Sequence, residues 1–267
     1  MNTTADILWI DLLIGQTMLI VPLIIFWYYK TGLILDTLIA TVRMSVQLFL
    51  VGVYLKYVFE WNNPWINSAW VMIMVIVASL SISDRTKLKH RFFFIPNFIG
   101  VFISLLVVDA FLLGYIIQLD NVFDARYYIP ITGMILGNSL QNNIISLNTF
   151  YKTLKDNLPE YHFALAGGAK KSEALFPYMR EALINSFNPT IARMAVIGLI
   201  ALPGTMTGQI IGGSSPEMAI KYQIMLMIAI FSSSVISVFL SIWVSMKIVF
   251  DRYQNLNLGI FREKRKK

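Results

Sequence analysis

Residues 220–250 read IKYQIMLMIAIFSSSVISVFLSIWVSMKIVF, and Lys221 and Lys247 are the only charged side chains among them. A helix needs about 20 predominantly apolar residues to cross the hydrocarbon core of a bilayer, so this stretch is long enough to span a membrane. Six further stretches share its length and apolar character: 7–29, 35–59, 65–83, 92–119, 127–147 and 190–212. Each of the seven is therefore expected to form a transmembrane helix.

The composition of the chain agrees with this pattern. Hydrophobic residues make up 57% of the 267 residues and charged residues 14%, whereas an average soluble domain is about half apolar and about a quarter charged. The mean hydropathy is +0.64. These values exclude a soluble enzyme, a disordered chain and a nucleic-acid-binding module. The sequence predicts an all-α, polytopic membrane protein with about seven transmembrane helices, in which residues 1–267 form a single domain within the lipid bilayer.

The distribution of positive charge predicts the orientation. If the N-terminus lies outside, then the connections 30–34, 84–91 and 148–189 and the C-terminal tail face the cytoplasm, and with their flanks they hold most of the 22 Lys and Arg residues. Because cytoplasmic connections carry the excess of Lys and Arg, we expect an N-out, C-in, multi-pass protein of the cell (inner or plasma) membrane. The basic tail 261–267 is expected to contact anionic lipid headgroups.

The connection between the fifth and sixth stretches, about residues 150–189, is the longest. Its part from Glu160 to Phe187 has a helical pattern with one apolar side, a break at Gly167–Gly168 and an expected kink at Pro177. Two interpretations remain open for this segment. It is either a helix that docks onto a partner protein or a helix that lies on the lipid headgroups.

The sequence lacks motifs for chemistry of its own. The two histidines, His90 and His162, lie in expected cytoplasmic connections, and there is no cysteine. Protease and hydrolase motifs are missing, and the run GGAKKS (167–172) has the wrong spacing for a phosphate-binding loop. We therefore expect no catalytic residue and no cofactor bound by this chain, so that ATP, if used, is bound by another subunit. The 13 methionines are interpreted as apolar packing residues, and no metal ligand is identified.

Of the charged side chains in the apolar stretches, three qualify as functional candidates at membrane depth, where charge is costly: Asp11, Arg43 and Asp109. Arg43 shares a helix face with Gln47 at a spacing of four residues. Each charge either marks a solute pathway or forms a structural pair, and Asp11 can also reach the outer interface with its carboxylate.

Two glycine-containing stretches carry most of the other polar groups. Residues 129–143 read IPITGMILGNSLQNN, in which Gly133 and Gly137 allow another helix to approach and the following amides can bond across helices or line a wet cavity. Residues 202–213 read LPGTMTGQIIGG, in which Pro203 and Gly204 weaken the helix. Packing alone is the alternative interpretation of both stretches. The expected translocation path consists of Arg43, Gln47, Asn138, Gln141, Asn142, Thr205, Met206, Thr207 and Gln209.

These two stretches, the second continuing as SSPEMAIKYQI to residue 224, resemble the FetB family of small ABC-transporter permeases. Segments 43–57 and 188–204 also fit, so the resemblance extends over most of the chain. The family contains bacterial iron-export permeases and plant relatives that act in aluminium tolerance. The resemblance implies a homodimeric permease that is not itself an enzyme, exports iron or another metal ion, and is powered by a separate cytoplasmic ABC ATPase subunit.

The resemblance also gives the long connection a role, because it resembles the coupling loop through which ABC permeases contact their ATPase. The coupling residues expected on this basis are Gly168, Ala169, Lys170, Lys171, Glu173, Met179 and Arg180. The wider permease pattern has a glutamate five or six residues before that glycine, where this sequence has Phe163 and His162. The docking contacts are therefore expected to differ from the wider pattern.

Three other functions remain open at this point. An ion-gradient-driven secondary transporter would use Asp11 or Asp109 as a proton carrier. An ABC permease could carry a non-metal solute, and a membrane scaffold would transport nothing.

Overall fold

The structure is a computed structural model that describes residues 8–200 and 202–262. Its regular elements in these ranges are helical, accompanied by two isolated bridges of extended backbone. The α-helices are α1 (Trp9–Gln16), α2 (Ile20–Tyr28), α3 (Ile34–Trp61), α4 (Pro64–Arg85), α5 (His90–Asp109), α6 (Ala125–Asp156), α7 (Leu158–Ala166), α8 (Lys171–Val196), α9 (Gly204–Ile211) and α10 (Pro216–Val249). The expectation of an all-α polytopic membrane protein is confirmed. Residues 263–267 of the basic tail lie outside the described ranges.

Five helical segments within the described ranges are long and apolar enough to cross a membrane, judged by length and composition. They are Ile10–Tyr28, Ile34–Trp61, Pro64–Arg85, His90–Ile116 and Pro216–Val249. The first is interrupted by the 3-10 turn Thr17–Leu19, where Pro22 has no N–H to donate to the carbonyl of Met18. The fourth continues beyond α5 as the π-helical segment Ala110–Ile116. These five segments coincide with five of the seven stretches expected from the sequence.

Helices α4, α5, α6 and α10 form the core of the molecule. Helices α5 and α10 approach each other closely at Gly100, where a Cβ atom would lie 2.3 Å from Ser241 Oγ and 2.8 Å from the Ser237 carbonyl oxygen. Only a residue without a side chain fits there. At Gly133 a Cβ atom would meet Met74 Cε of α4 at 3.2 Å, whereas at Gly137 it would meet nothing within 4 Å. Helix α4 thus reaches Gly133 through the end of a side chain, and the expected close approach of another helix backbone at Gly133 and Gly137 remains a prediction.

Helices α1 to α3, residues 9–61, form an N-terminal arm that packs little against the core. Val58 is the one buried residue among the described side chains of α3, and it lies near the end of the helix. Asn62 follows it in the left-handed conformation, with φ of 38°. The Asn62 side chain accepts a hydrogen bond from the backbone N–H of Ala125 (2.9 Å) and donates one to Asp124 Oδ2 (3.2 Å). The arm is thus attached where α3 ends and α6 begins.

Helix α8 lies antiparallel to α6, so much of the predicted loop 150–189 belongs to the helix bundle. The Tyr178 hydroxyl donates to the carbonyl oxygen of Asn157, 3.3 Å away, at the end of α6. Farther along, Thr190 Oγ1 donates to Asn142 Oδ1 at 3.4 Å. On the apolar side of the predicted amphipathic helix, Leu175, Ala182 and Phe187 are buried. The part that extends beyond both helices is 157–170, which contains α7.

The predicted sixth span, 190–212, is divided between two helices. Helix α8 ends at Val196, and a segment of irregular backbone with Gly198 at φ of +88° leads to α9 at Gly204. The expected break is present, but it begins before Pro203. Arg193 flanks the connection 148–189 and was counted with it on the cytoplasmic side, but it lies in the last turn of α8, at the opposite end of that helix from Lys171. The expected orientation remains a prediction, and the end of the bundle where α8 begins and α10 finishes is called the expected cytoplasmic end below.

Candidate functional site

A row of buried hydroxyl and amide groups joins α10 to α5 and α6. The hydrogen-bonded pairs are Ser139–Ser234 (3.1 Å), Asn143–Ser237 (2.9 Å), Tyr151–Ser245 (2.6 Å) and Ser104–Ser233 (3.3 Å). All eight side chains are buried. Interhelical bonds of this kind contribute on average about 0.6 kcal/mol each in a membrane protein. The row is therefore a packing seam, and the sequence signal for it is the serines of α10 at spacings of three and four residues.

The amide cluster of α6 lies in several environments. Asn143 is fully buried in the serine seam, and Asn142 is buried against Thr190 of α8. Asn138 is half-buried, and its Nδ2 donates to the carbonyl oxygen of Met134 within its own helix at 2.9 Å. Gln141 is exposed. Of the predicted path residues in this cluster, Asn142 is thus enclosed between helices, while Gln141 faces away from the chain.

The predicted path residues of α9 lie against the first turns of α10. The Thr205 hydroxyl donates to Oε1 of Gln223, a buried residue that the sequence reasoning missed. Met206 is also buried, and Gln209 is half-buried. Thr207 is exposed, and its hydroxyl donates to the carbonyl oxygen of Pro203 at 3.2 Å. The signal for Gln223 was a lone amide in the apolar stretch 220–250.

Arg43 and Gln47 are exposed on the N-terminal arm. They line an open cavity of about 470 Å3 together with Asp36 and with Arg85 from the end of α4. The nine predicted path residues therefore fall into three groups, on the arm, on α6 and on α9, rather than around one closed pocket. Helix α3 brings its own pair together, as the spacing of four residues predicts.

Asp109 is the most enclosed charged residue in the described part of the chain. Its Oδ2 accepts a hydrogen bond from the Thr132 hydroxyl at 2.8 Å, and its Oδ1 has no partner there. The carboxylate lies at the junction with the π-helical segment, in the wall of an otherwise mainly apolar cavity of about 340 Å3 that also contains Ser68 and Tyr128. Asp11, in contrast, is exposed and accepts a bond from the backbone N–H of Leu8 at 3.0 Å.

The α7–α8 corner, residues 157–170, is fixed to the bundle at two points. Tyr161 is buried, and its hydroxyl donates to the carbonyl oxygen of Gln254 at 2.8 Å. Burial, followed by the nearby charge of Asp251, raises the pKa of Tyr161 to about 12, so the phenol keeps the proton that it donates. The bond from Tyr178 to Asn157 provides the second point. A force on this corner would therefore reach both α6 and the segment after α10.

The expected coupling residues do not all face outward from this corner. Gly168 has φ of +89°, which favours glycine, and it forms the turn before α8. Glu173 caps the helix by accepting from the backbone N–H of Lys170 at 2.8 Å. Lys171 turns toward α10, with Nζ 3.8 Å from the centroid of the Phe250 ring. The remaining three residues range from exposed to half-buried: Arg180, Ala169 and Met179.

The most exposed aromatic side chain at the corner was not among the expected coupling residues. Phe163 is 82% exposed on α7, and it stands at one of the two positions where the wider permease pattern has a glutamate.

For metal binding, the described residues contain no group of three or more His, Cys, Asp or Glu side chains that could hold an ion.

Comparison with known proteins establishes the family. Residues 9–250 match the model of the family described as "Uncharacterised protein family (UPF0014)". The chain belongs to the UPF0014 family. The UPF0014 membrane protein YjkA of Bacillus subtilis is 30% identical over 210 residues, which cover 78% of this chain and 82% of that protein. No solved structure matches the chain.

Two other relatives of this UPF0014 protein have names that refer to transport or metals. Protein ALUMINUM SENSITIVE 3 of Arabidopsis thaliana is 30% identical over 222 residues, covering 82% of this chain and 79% of that one. The Escherichia coli protein named "Probable iron export permease protein FetB" is 26% identical over 255 residues, covering 95% and 96%. The resemblance to the FetB family is confirmed. The UPF0014 chain is a membrane permease protein and not itself an enzyme.

Proposed function

We propose that the chain is the membrane-spanning subunit of an ABC transporter that exports iron or another metal ion. In this proposal residues 1–267 form one permease domain, two copies assemble as a homodimer in the cell membrane with the N-terminus outside, and a separate cytoplasmic ATPase subunit binds and hydrolyses ATP. The metal is suggested by the name of the Escherichia coli relative, an iron export permease protein. A non-metal solute remains the alternative cargo.

The observation that carries the proposal is the α7–α8 corner. A soluble partner needs an accessible anchor, and buried aromatic anchors dominate binding energy at protein interfaces. Phe163 offers such a side chain at the expected cytoplasmic end, on a helix held to the bundle through Tyr161 and Tyr178. Closure of the ATPase subunits could therefore move α6 and α8 through this corner. The exposed Gly168 and Arg180 would complete the contact surface.

Exposed surfaces of the single chain support the dimer. The irregular backbone between α8 and α9 exposes Leu199 and Ile200 by 88% and 81%, and non-helical backbone at membrane depth needs protein or a water-filled cavity beside it. Gly137 on α6 is likewise exposed and open to close approach. A second copy over these surfaces would enclose Gln141 and Thr207 and bring the three groups of path residues around one passage.

Exchange of Phe163 for serine tests the coupling. We expect Phe163→Ser to lower co-purification of the ATPase subunit at least tenfold, because the loss of an aromatic hot spot costs about 2 kcal/mol or more. The measurement is the ATPase-to-permease ratio after affinity purification from detergent. Tyr253→Ser is the matched control, since Tyr253 is an 84% exposed aromatic residue at the same end but outside the corner.

Equal loss in the two variants would contradict the role of the corner, and so would full retention in Phe163→Ser. Transport at full rate by the chain alone, in vesicles that carry an ion gradient but no ATPase, would contradict the ABC assignment altogether.

One observation favours a second candidate, a proton-coupled secondary transporter. The buried Asp109 has a carboxylate oxygen without a partner in the described structure, and buried ionisable residues are frequent in proton relays. Asp109→Asn keeps the shape and an acceptor for Thr132 but cannot carry a proton. Gradient-driven transport by the wild-type chain alone that is lost in Asp109→Asn would favour this candidate, whereas near-normal transport by the variant supports the ABC proposal.

A further inference from the structure

An amphipathic groove of about 610 Å3 lies at the expected cytoplasmic end, between the first turns of α8 and the last turns of α10. Its walls are mainly apolar and aromatic, and they comprise Leu175, Phe176, Met179, Phe239, Trp243 and Met246. Three of these side chains are well exposed, namely Phe176, Phe239 and Trp243. Three lysines, Lys170, Lys171 and Lys247, line the same groove.

The lysines of the groove form no salt bridge with a carboxylate of the described residues, although the charge of Asp251 acts on Lys171 from a greater distance. None of them has an Asp or Glu oxygen within 4.0 Å. Lys171 and Lys247 rest on aromatic rings instead, with Nζ 3.8 Å from the Phe250 centroid and 3.5 Å from the Trp243 centroid. Such contacts orient an ammonium group but leave its charge in place. The groove is therefore complementary to an anion.

The two nearest acidic residues are used elsewhere. The Glu173 carboxylate caps α8 through the backbone N–H of Lys170. The Asp251 carboxylate accepts from the backbone N–H of Asn255 at 2.8 Å and from its side chain at 3.2 Å. Both acids keep their charge but form no salt bridge with the three lysines, so the ammonium groups remain free to contact an anionic group from outside the chain.

The order of the residues along α10 indicates the shape of the occupant. Lys247 lies in the last turn, Trp243 one turn deeper and Phe239 two turns deeper, so the charged rim passes into an apolar wall about 12 Å long. A free phosphate would use the rim and leave this wall exposed. A molecule with an anionic head and an acyl chain would cover both.

We propose that this groove binds an anionic phospholipid of the cytoplasmic leaflet, with the phosphate among the three lysines and one acyl chain along Trp243 and Phe239. Basic pockets between transmembrane helices on the cytoplasmic side are suited to such headgroups. The groove shares Lys170, Lys171 and Met179 with the expected coupling residues, so lipid retention and ATPase association are measured separately in the test below. It adjoins the α7–α8 corner, so its occupancy would hold the start of α8 against α10.

Native mass spectrometry of the purified chain tests the site, after exchange into nanodiscs of phosphatidylglycerol mixed with phosphatidylcholine. The variant is the double change Lys171→Gln and Lys247→Gln. We expect the wild type to retain phosphatidylglycerol in preference to phosphatidylcholine. In the variant, the ratio of bound phosphatidylglycerol to bound phosphatidylcholine should fall about fivefold for each lysine removed. Matched controls are Lys155→Gln, which removes another ring-stacked lysine from α6, and Lys221→Gln at the opposite end of α10. Both controls should retain the preference.

A second measurement reports on the acyl chain in the folded wild type. Phosphatidylglycerol with brominated acyl chains should quench tryptophan fluorescence more than brominated phosphatidylcholine, and Trp243→Phe should remove this difference. Equal retention of the two lipids by the wild type, or equal loss in the controls, would overturn the proposal. Displacement of the lipid by glycerol phosphate at matching concentration would assign the site to a free phosphate. Normal lipid retention with loss of the ATPase in the lysine variant would assign the groove to that subunit.

Discussion

The four-helix core and the N-terminal arm are both strongly apolar, yet only the core packs tightly. Helices α4, α5 and α10 each bury a full face, whereas the expected spans in the arm bury almost nothing within the described chain. Because lipid is as apolar as a leucine side chain, hydrophobicity cannot decide which helices associate in a membrane. The difference must therefore come from the small and polar residues.

The hydroxyl groups of the two regions show this difference directly. In the arm, Thr37, Thr41 and Ser45 each donate to a backbone carbonyl of their own helix. In the core, Ser234 and Ser237 bond across to α6. Some core hydroxyls also bond within their own helix, but those of the serine seam specify a neighbouring helix, while Thr37, Thr41 and Ser45 leave the surface of the arm apolar. A surface of the latter kind suits lipid or a second copy of the chain.

The largest loss of stability is expected from a substitution where α5 meets α10. Gly100→Ala would place a methyl group within 3 Å of the backbone of α10, so the helices must separate and the serine seam must open. We expect a loss of about 2 kcal/mol or more in the free energy of unfolding. The measurement is chemical unfolding in mixed detergent micelles, followed by circular dichroism.

Gly52→Ala in α3 is the matched control for this change. A Cβ atom at Gly52 would meet nothing within 4 Å, and alanine favours a helix over glycine. The control should therefore be neutral or slightly stabilising. Equal destabilisation by the two substitutions would remove the distinction between the core and the arm.

A smaller loss of stability is expected from a substitution within the amide cluster of α6. Asn143→Ala removes the bond to Ser237 from the seam and should cost about 1 kcal/mol. Gln141→Ala, two residues away on an exposed side, should leave stability unchanged but lower transport if it lines the proposed path. Unfolding and vesicle transport assays, applied to both variants, separate the two roles. Loss of stability in Gln141→Ala would contradict its placement on an exposed face.

The smallest effect on global stability is expected at the attachment of the arm. Asn62→Gly keeps the left-handed backbone but removes the side-chain bonds to Ala125 and Asp124. We expect the free energy of unfolding of the core to stay within about 0.5 kcal/mol of the wild-type value, because an unburied element contributes little to global unfolding. Limited proteolysis should cut the connection between α3 and α4 faster. A large global destabilisation would show that the arm is part of the core.

Much of the fold could be predicted from single residues and their periodicity. The five apolar stretches with few charges are helices, the break at Gly167–Gly168 lies between α7 and α8, and a second break lies near Pro203. Proline and glycine punctuate helices through local backbone geometry, so these features need no tertiary information. The extent of α8 could not be predicted this way. The sequence predicts a helix inside a cytoplasmic connection, and only the contacts of α8 with α6 place it in the bundle.

The candidate site was harder to predict, because the sequence shows which side chains are polar but not which residues they contact. The sequence marked Asn142 and Thr205 as polar groups in apolar stretches, but their partners, Thr190 and Gln223, lie far away in the chain. Asn138 and Asn143 have the same side chain as Asn142, yet Asn138 donates to a carbonyl of its own helix and Asn143 donates to Ser237 in the serine seam.

The sequence by itself determined that this protein crosses a membrane as helices, since roughly 20 apolar residues in a row leave the backbone no other way to satisfy its hydrogen bonds in lipid. It also determined the family, through glycine-rich stretches spread over the chain. Only the tertiary structure decided which helices form the core, that α8 pairs with α6, and that Lys171 and Lys247 meet at one groove. The physical reason is that helix partners in lipid are selected by short-range fit and hydrogen bonds between residues far apart in sequence.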